Sequence, residues 1–354
     1  MFSKIDSPAI LQKSELDAYL EKGWYRMGQE IFTCNFLNFN RTFYSSIWLR
    51  LELGKYEPEK EFKKLQKLNA SFRVEINKAS ITDAKEKLYS KYKAGITFDT
   101  SDSLESLLMR NEDENKSIYD THEVCIYEED KLIAVGFFDL GDKSVAGIVS
   151  FYDPHYKKYS LGKYLIYNKI HYCKILGFHY FYPGYFAPDY SMFDYKLKIG
   201  KSALEFLNLC TNQWQVYSTF SEDNVLIDVM EDKLIAMQSL LLAKNIQVLS
   251  FKYEFFNANI MFNLRGLDLL DYPLFLLITD SSYQDFQPII IFDVIEQKYR
   301  LIKCVSYYFD EEYVSKDGYY GTHLLKQTKE FIAHKDANSI LDSLISMLLG
   351  EDKN

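Results

Sequence analysis

Between residues 123 and 186 the chain changes its apolar period in an order that few folds accept. EVCIYEED and KLIAVGFFDL are two β-rich runs around a short charged turn, which predicts a hairpin. KSVAGIVSFYDP reads as a third strand and stops at Asp153-Pro154, because proline cannot donate to a ladder. From Ser160 the period becomes helical. Leu161, Tyr164, Leu165, Asn168 and Tyr172 share one stripe, Lys163, Lys169 and Lys174 lie partly off it, and Gly177 ends it. HYFYPGYFA then reads as a further strand. Antiparallel strands, a helix and one more strand specify an α+β fold.

Before this core, SELDAYL predicts a helix capped by Ser14 and ended by Gly23. Residues 29–36 and 45–53 read as strands. Residues 62–68 and 81–92 read as helices, the second capped by Ser80 or Thr82. The polar stretch 99–123, with a short helical SLESLLM, marks a domain boundary. After about 205 a helix is predicted over 228–242, several strands between 247 and 308, and two terminal helices over 321–334 and 338–349. The expected organisation is a small N-terminal α/β domain (1–100), a central domain (101–204) and an acidic α+β extension (205–354).

The chain has 354 residues, 47% of them apolar, enough for two or three packed domains. Its longest apolar runs, near 132–138 and 274–278, fall far short of the ~20 residues of a membrane helix. MFSKIDSPAI has no apolar signal core, so a cytoplasmic setting without membrane partners is expected. Cysteines at 34, 125, 173, 210 and 304 include no CxxC pair, which argues against a disulfide framework or a Cys-rich zinc site. The six histidines have no metal spacing; His171 and His179 read as structural rather than catalytic. The net charge of −9 disfavours bulk polyanion binding, yet residues 60–93 hold 10 basic against 4 acidic residues and 153–201 hold 8 lysines against 3 aspartates. Such local positive faces attract phosphates whatever the total charge, although solvated helix faces give the same pattern.

Several segments together resemble the arginyl-tRNA–protein transferase family, which includes bacterial leucyl-transferring members. They are Ala134-Val135-Gly136 with Asp139, Phe151-Tyr152-Asp153-Pro154, Ser160-Leu161-Gly162 with Tyr164, Gly177-Phe178 with Tyr180, Tyr182-Pro183-Gly184-Tyr185, and Tyr195-Lys196. Met192 stands one position off the family's methionine, and Pro183 replaces the usual leucine. More loosely, ELDAYLEKGWYRMGQEIFTC is similar to an N-terminal family segment through Gly23, Trp24, Arg26, Gly28, Phe32 and Cys34. LRLELGKYEPEKEFKKLQKLNASFRVEI is similar to its basic segment. The resemblance spans about 14–200 and implies a GNAT-like catalytic domain after a transferase-like N-terminal domain. One departure matters: CNFLNFN stands where the family has a cysteine cluster, and a lone Cys34 cannot supply four soft ligands. No metal or cofactor is therefore expected.

The reaction that the resemblance implies moves an aminoacyl group from charged tRNA to the α-amine of a protein N-terminus, an N-degron type of tagging. The resemblance points to Asp or Glu as the acceptor residue, which the sequence itself leaves open. Such an enzyme positions two substrates, keeps the amine neutral and stabilises an oxyanion. No Ser/His/Asp or Cys/His arrangement is present, and none is needed. Asp153 is a candidate to accept a proton or orient the amine, or simply forms the Asp-Pro turn. Ser160, Leu161 and Gly162 offer helix N-terminal amides to a phosphate or oxyanion, or merely cap a helix. Tyr182 and Tyr185 stack on the terminal adenine or donate hydroxyls, or pack the sheet. Lys196 and Tyr195 face substrate, with a solvated lysine as the alternative, and Gly184 leaves room for the ester. Trp24 and Arg26 bind the acceptor, or belong to core or surface. Two other readings stand beside this one: a binding protein that keeps the fold without transfer, and an N-acyltransferase that uses acyl-coenzyme A, which lacks its usual Gly-rich loop here.

Lys63, Lys64 and Lys67 are the expected tRNA contacts. Reversing all three to Glu should weaken tRNA binding and flatten the dependence of log K on log salt by ~0.9 for each duplex phosphate no longer neutralised. An unchanged slope in a filter-binding titration would move the tRNA to another face.

Overall fold

The computed structural model describes residues 2–96, 100–109, 117–279, 288–308, 318–321 and 323–349, with the side chains of 307 and 308 excepted. Part of the expected boundary segment, 110–116, lies outside them. In chain order come β1 (Ser3–Asp6), α1 (Lys13–Glu21), β2 (Tyr25–Met27), β3 (Glu30–Cys34), β4 (Phe36–Phe39), β5 (Thr42–Ser45), β6 (Ile47–Glu52), α2 (Lys60–Leu68), β7 (Arg73–Lys78), α3 (Asp83–Lys93) and α4 (Leu104–Leu108). The predicted hairpin and third strand follow as β8 (Thr121–Glu128), β9 (Lys131–Leu140) and β10 (Ser144–Tyr152), then α5 (Leu161–Ile175) and β11 (Tyr180–Phe186). After them come β12 (Leu204–Asn208), β13 (Gln213–Val216), α6 (Leu226–Ala243), β14 (Val248–Tyr253), β15 (Leu274–Ile278), β16 (Pro288–Asp293), β17 (Lys298–Tyr308), β18 (Tyr319–Tyr320), β19 (His323–His334) and α7 (Ala337–Leu348).

Eight strands form one sheet in the order β13-β12-β6-β11-β10-β9-β8-β7. The chain is α+β, and its antiparallel strands, crossover helix and parallel β11 follow the GNAT-like order. The sheet crosses both expected domain boundaries. β6 pairs with β11 and with β12, so hydrogen bonding ties residues 47–52 to strands more than a hundred positions away. Helix α5 packs on one face through Leu161, Leu165 and Ile170, and α2 packs on α5, where Phe62 stacks on Tyr167 at 5.2 Å. The opposite face carries α3 and α4 over β8–β10, and α1 with the small β1-β3-β2 sheet over β10 and β11.

A second sheet, β18-β14-β15-β16-β17-β19, holds the acidic C-terminal part, with α6 and α7 packed against it. One difference from the sequence reading lies here. Residues 323–334 form a strand rather than a helix, because β17 pairs with them along their whole length. Local helix propensity yields to that ladder. Strand β7 was not foreseen either, and it exists by pairing with β8. No helix among the described residues is long and apolar enough to cross a membrane.

The hairpin β4–β5, which follows Cys34, is seated in the second core. Phe36 and Phe43 are buried there, the Phe43 ring lies 5.2 Å from that of Phe256, and Ser45 Oγ accepts the Ile227 amide at 2.9 Å. Cys34 is buried, its Sγ 2.9 Å from the Phe36 carbonyl, and burial pushes its thiol up to about 12. That is an inert structural thiol.

Arg26 ties the small N-terminal sheet and α4 to the large sheet. Its guanidinium donates to Asp139 Oδ1 (2.9 Å), Thr121 Oγ1 (2.8 Å) and the carbonyls of Gly28 and Leu108. The Arg26 and Asp139 side chains are 3% and 0% exposed. Arg26→Met should destabilise the protein by about 3–5 kcal/mol by leaving a buried carboxylate unpaired. An Arg26→Met/Asp139→Leu pair should recover much of that loss, as read by urea unfolding.

Candidate active site

Parallel strands β10 and β11 stay together for only three pairs, Ser144↔Tyr180, Val145↔Phe181 and Ala146↔Tyr182. Beyond them the strands part. β10 remains with β9 and shifts register between Gly147 and Val149. β11 remains with β6 and shifts between Phe181 and Gly184. At the vertex the Tyr25 hydroxyl reaches the carbonyls of Gly147 and Tyr182 (3.0 Å for Tyr182), one on each strand. The sequence reading singled out Trp24 and Arg26 and passed over the residue between them. Alternation along β2 was the available signal, since Tyr25 must face away from the buried Arg26.

The β11 wall carries Gly184, Tyr185 and, from the turn Ser191–Lys198, Tyr195 and Lys196. Lys196 Nζ donates to the Tyr185 carbonyl at 2.6 Å and lies near the rings of Phe193 (4.9 Å) and Tyr185 (5.3 Å). Desolvation alone pushes its ammonium down to about 7, so amine and ammonium coexist near neutral pH. Gly184 has φ +86°, and a Cβ there would sit 3.3 Å from Lys196 Nζ. A glycine thus serves both the left-handed backbone and the space of the ammonium. Tyr185 packs edge-on to Trp48 (5.4 Å) and Phe193 (5.3 Å), and burial pushes its phenol up to about 12. Rings continue outward through Tyr190 and Phe39, which stack at 4.5 Å, so hairpin β4–β5 borders this wall.

The β10 wall ends at Tyr152 and Asp153. Tyr152 lies 3.5 Å from where Gly162 would carry a Cβ and 5.7 Å from the Tyr92 ring, which brings the α5 N-terminus to this arm. Tyr92 also opposes ionisation of Tyr195 on the other arm, second to burial. Ser160 takes a left-handed conformation (φ 52°) with no capping bond from its side chain, and Leu161 is buried.

Asp153, the sequence's candidate to accept a proton or orient the amine, is surrounded by basic side chains. Burial alone would raise its pKa. Bonds from Lys91 (2.8 Å) and His155 (2.9 Å), with Lys131 at 3.4 Å, outweigh that and hold the carboxyl well below its usual range. Its Oδ1 also accepts the His155 amide, so it closes the turn after β10. Tyr182 faces the α1 layer with Leu16 and Leu20 and bonds Arg50. Trp24 packs on Tyr19 at 5.5 Å in that layer, and Arg26 is the internal tie described above. Lys63, Lys64 and Lys67 are exposed on the outer face of α2. His171 lies beside Phe62, and the His179 amide bonds the Lys143 carbonyl. No three His, Cys, Asp or Glu side chains converge as a metal site among the described residues.

Residues 84–208 match the family described as arginine-tRNA-protein transferase, C terminus. An aspartate/glutamate leucyltransferase of Leptospira interrogans is 29% identical over 194 residues, 53% of this chain and 73% of that protein. One of Campylobacter jejuni is 36% identical over 75 residues, 21% of this chain and 31% of that protein. Among solved structures, FemX covers 55% of this chain and 65% of its own at 7% identity, with a TM-score of 0.33.

The Lys196 environment has a stability consequence. Between pH 7 and its unfolded value of 10.5, the unfolded chain holds this proton and the folded chain does not, so stability rises with pH. Lys196→Met should remove up to one proton equivalent of that rise between pH 7 and about 8, below the ordinary cysteine and tyrosine midpoints. Urea midpoints across that window read it, and an unchanged slope would place the ammonium in solvent.

Proposed function

We propose that this chain, which carries the C-terminal domain of the arginine-tRNA–protein transferase family over residues 84–208, is an aminoacyltransferase working in the parting of β10 and β11. It moves an aminoacyl group from charged tRNA to a protein N-terminal amine. Following the names of its relatives, the group is leucyl and the acceptor begins with Asp or Glu, a tag of the N-degron kind. The observation that carries this reading is Lys196: a lysine lowered to about 7 by burial, bonded to a neutral carbonyl, in the open part of the sheet.

The chemistry is ester aminolysis. The acceptor α-amine attacks the ester carbonyl, the tetrahedral oxyanion collapses, and the C–O bond to the terminal ribose breaks as the amide forms. Lys196, as the neutral amine, takes the proton released by the attacking nitrogen and returns it to the ribose oxygen. Without a side chain, Gly184 leaves the Nζ side of the backbone free for the attacking nitrogen to pass its proton. The Tyr185, Trp48 and Phe193 rings provide apolar walls suited to a leucyl side chain and exclude water, which protects the ester from hydrolysis. Lys63, Lys64 and Lys67 meet tRNA phosphates on α2, which packs on the same helix α5 whose N-terminus reaches Tyr152.

Single-turnover transfer from leucyl-tRNA to a peptide beginning with Asp is the test. Lys196→Met should slow transfer by about 10²–10⁴, the usual worth of a positioned general base, with little change in tRNA affinity. In the wild type the rate should rise with pH through about 7, as Lys196 becomes neutral. Wild-type protein that binds tRNA but transfers from neither leucyl- nor arginyl-tRNA would make it a binding protein.

A further inference from the structure

Strand β10 carries one extra residue at the vertex. Gly147 stands opposite Phe138 and Val149 opposite Phe137, so Ile148 bulges from the ladder. A bulge leaves backbone groups without ladder partners, and buried carbonyls need others. Two side chains supply them from opposite faces of the sheet. From the N-terminal sheet, Tyr25 reaches the Gly147 carbonyl. From α5, the Lys169 ammonium donates to Val149 O (2.9 Å), to Phe137 O on β9 (2.8 Å) and to Ser150 Oγ (3.0 Å). Lys169 is 2% exposed, and all three acceptors are neutral. An ammonium has three donors, so this one is fully matched.

A methionine or leucine would fill the same space without burying a charge, so packing does not explain a lysine here. The strand opposite is adapted to it. A Cβ on Gly136 would fall 2.6 Å from Lys169 Cε, 2.9 Å from Nζ and 3.0 Å from Ser150 Oγ. A glycine inside a strand weakens it, and here the missing side chain is the slot through which the ammonium reaches both strands. The Ala-Val-Gly segment and the helix lysine are one device.

We propose that Lys169 is a positioning residue for the transfer site: with Gly136 as its slot, it holds the β10 bulge from the helix side and so fixes where β10 leaves β11. It lies beneath the vertex and touches no substrate. The inference rests on the transferase reading for its catalytic consequence, and on hydrogen bonding alone for the bulge.

Lys169→Met, Gly136→Ala and their combination, each in the full chain, separate the two. Amide hydrogen exchange at 147–150 should quicken at least tenfold in both single variants, while β8 amides keep their protection. Transfer at saturating leucyl-tRNA should fall at least tenfold, with half-saturation within twofold of wild type. The double variant should be no slower than the slower single one, because both substitutions remove the same ammonium from the same carbonyls. Unchanged exchange at 147–150, a wild-type transfer rate in a folded variant, or additive losses would each overturn the proposal. Where Lys169→Met does not fold, Gly136→Ala carries both readouts. If wild-type protein transfers from no charged tRNA, the functional reading fails, and the exchange at 147–150 still decides the role of the lysine.

Discussion

The separation of two parallel strands after three pairs is the constraint on which the rest depends. Separating strands inside a sheet exposes carbonyls and amides on two edges within the fold, and each needs a partner. The chain meets this by keeping each arm paired on its other side, β10 with β9 and β11 with β6, and by closing the vertex with Tyr25. The parting places Lys196 and the rings around it at the centre of a large sheet rather than at its rim. Lys196 loses solvation there because the walls are rings and backbone, and its lowered pKa follows from that.

Apolar burial anchors hairpin β4–β5: Phe36 and Phe43 lie in the C-terminal core and Phe39 against Tyr190 beside the site. Burying two phenylalanines stabilises by about 1.5–3 kcal/mol each. Asn38 also donates to the Tyr319 hydroxyl at 2.7 Å. The acidic extension therefore shares a hairpin with the site, and its large core gives that hairpin a fixed seat.

The central strands and α5 were legible because each obeys a local rule: alternation, an Asp-Pro stop, a helical stripe and a terminating glycine. What escaped was set by distant partners. β7 and β19 exist through pairing with β8 and β17, and neither has a strong period of its own. Arg26 reads as a surface cation until Asp139, 113 positions away, is known to face it. Lys169 reads as off the apolar stripe, which is how a charged residue on a buried helix face must look from sequence. Gly184 was singled out for the closeness of backbone to ester, whereas its φ of +86° and the nearby Lys196 ammonium account for it. Family resemblance located the neighbourhood, but it could not show that Asp153 is ringed by basic side chains while Lys196 meets a carbonyl and aromatic rings.

The distribution of carboxylates explains why the two lysines at the vertex stay poised. Burial pushes both Lys169 and Lys196 down to about 7. A carboxylate bonded to either would reverse that, because an ion pair favours the charged form. The nearby acids are instead bonded elsewhere: Asp139 to Arg26, and Asp153 to Lys91, Lys131 and His155. Asp139 still raises Lys169 slightly through space, as does Cys173, and Lys196 feels desolvation alone. The ion pairs in the surrounding layers thus act on the site by what they withhold from it. A lysine whose amine and ammonium coexist near neutral pH requires acids near enough to hold the fold together and too well paired to reach it.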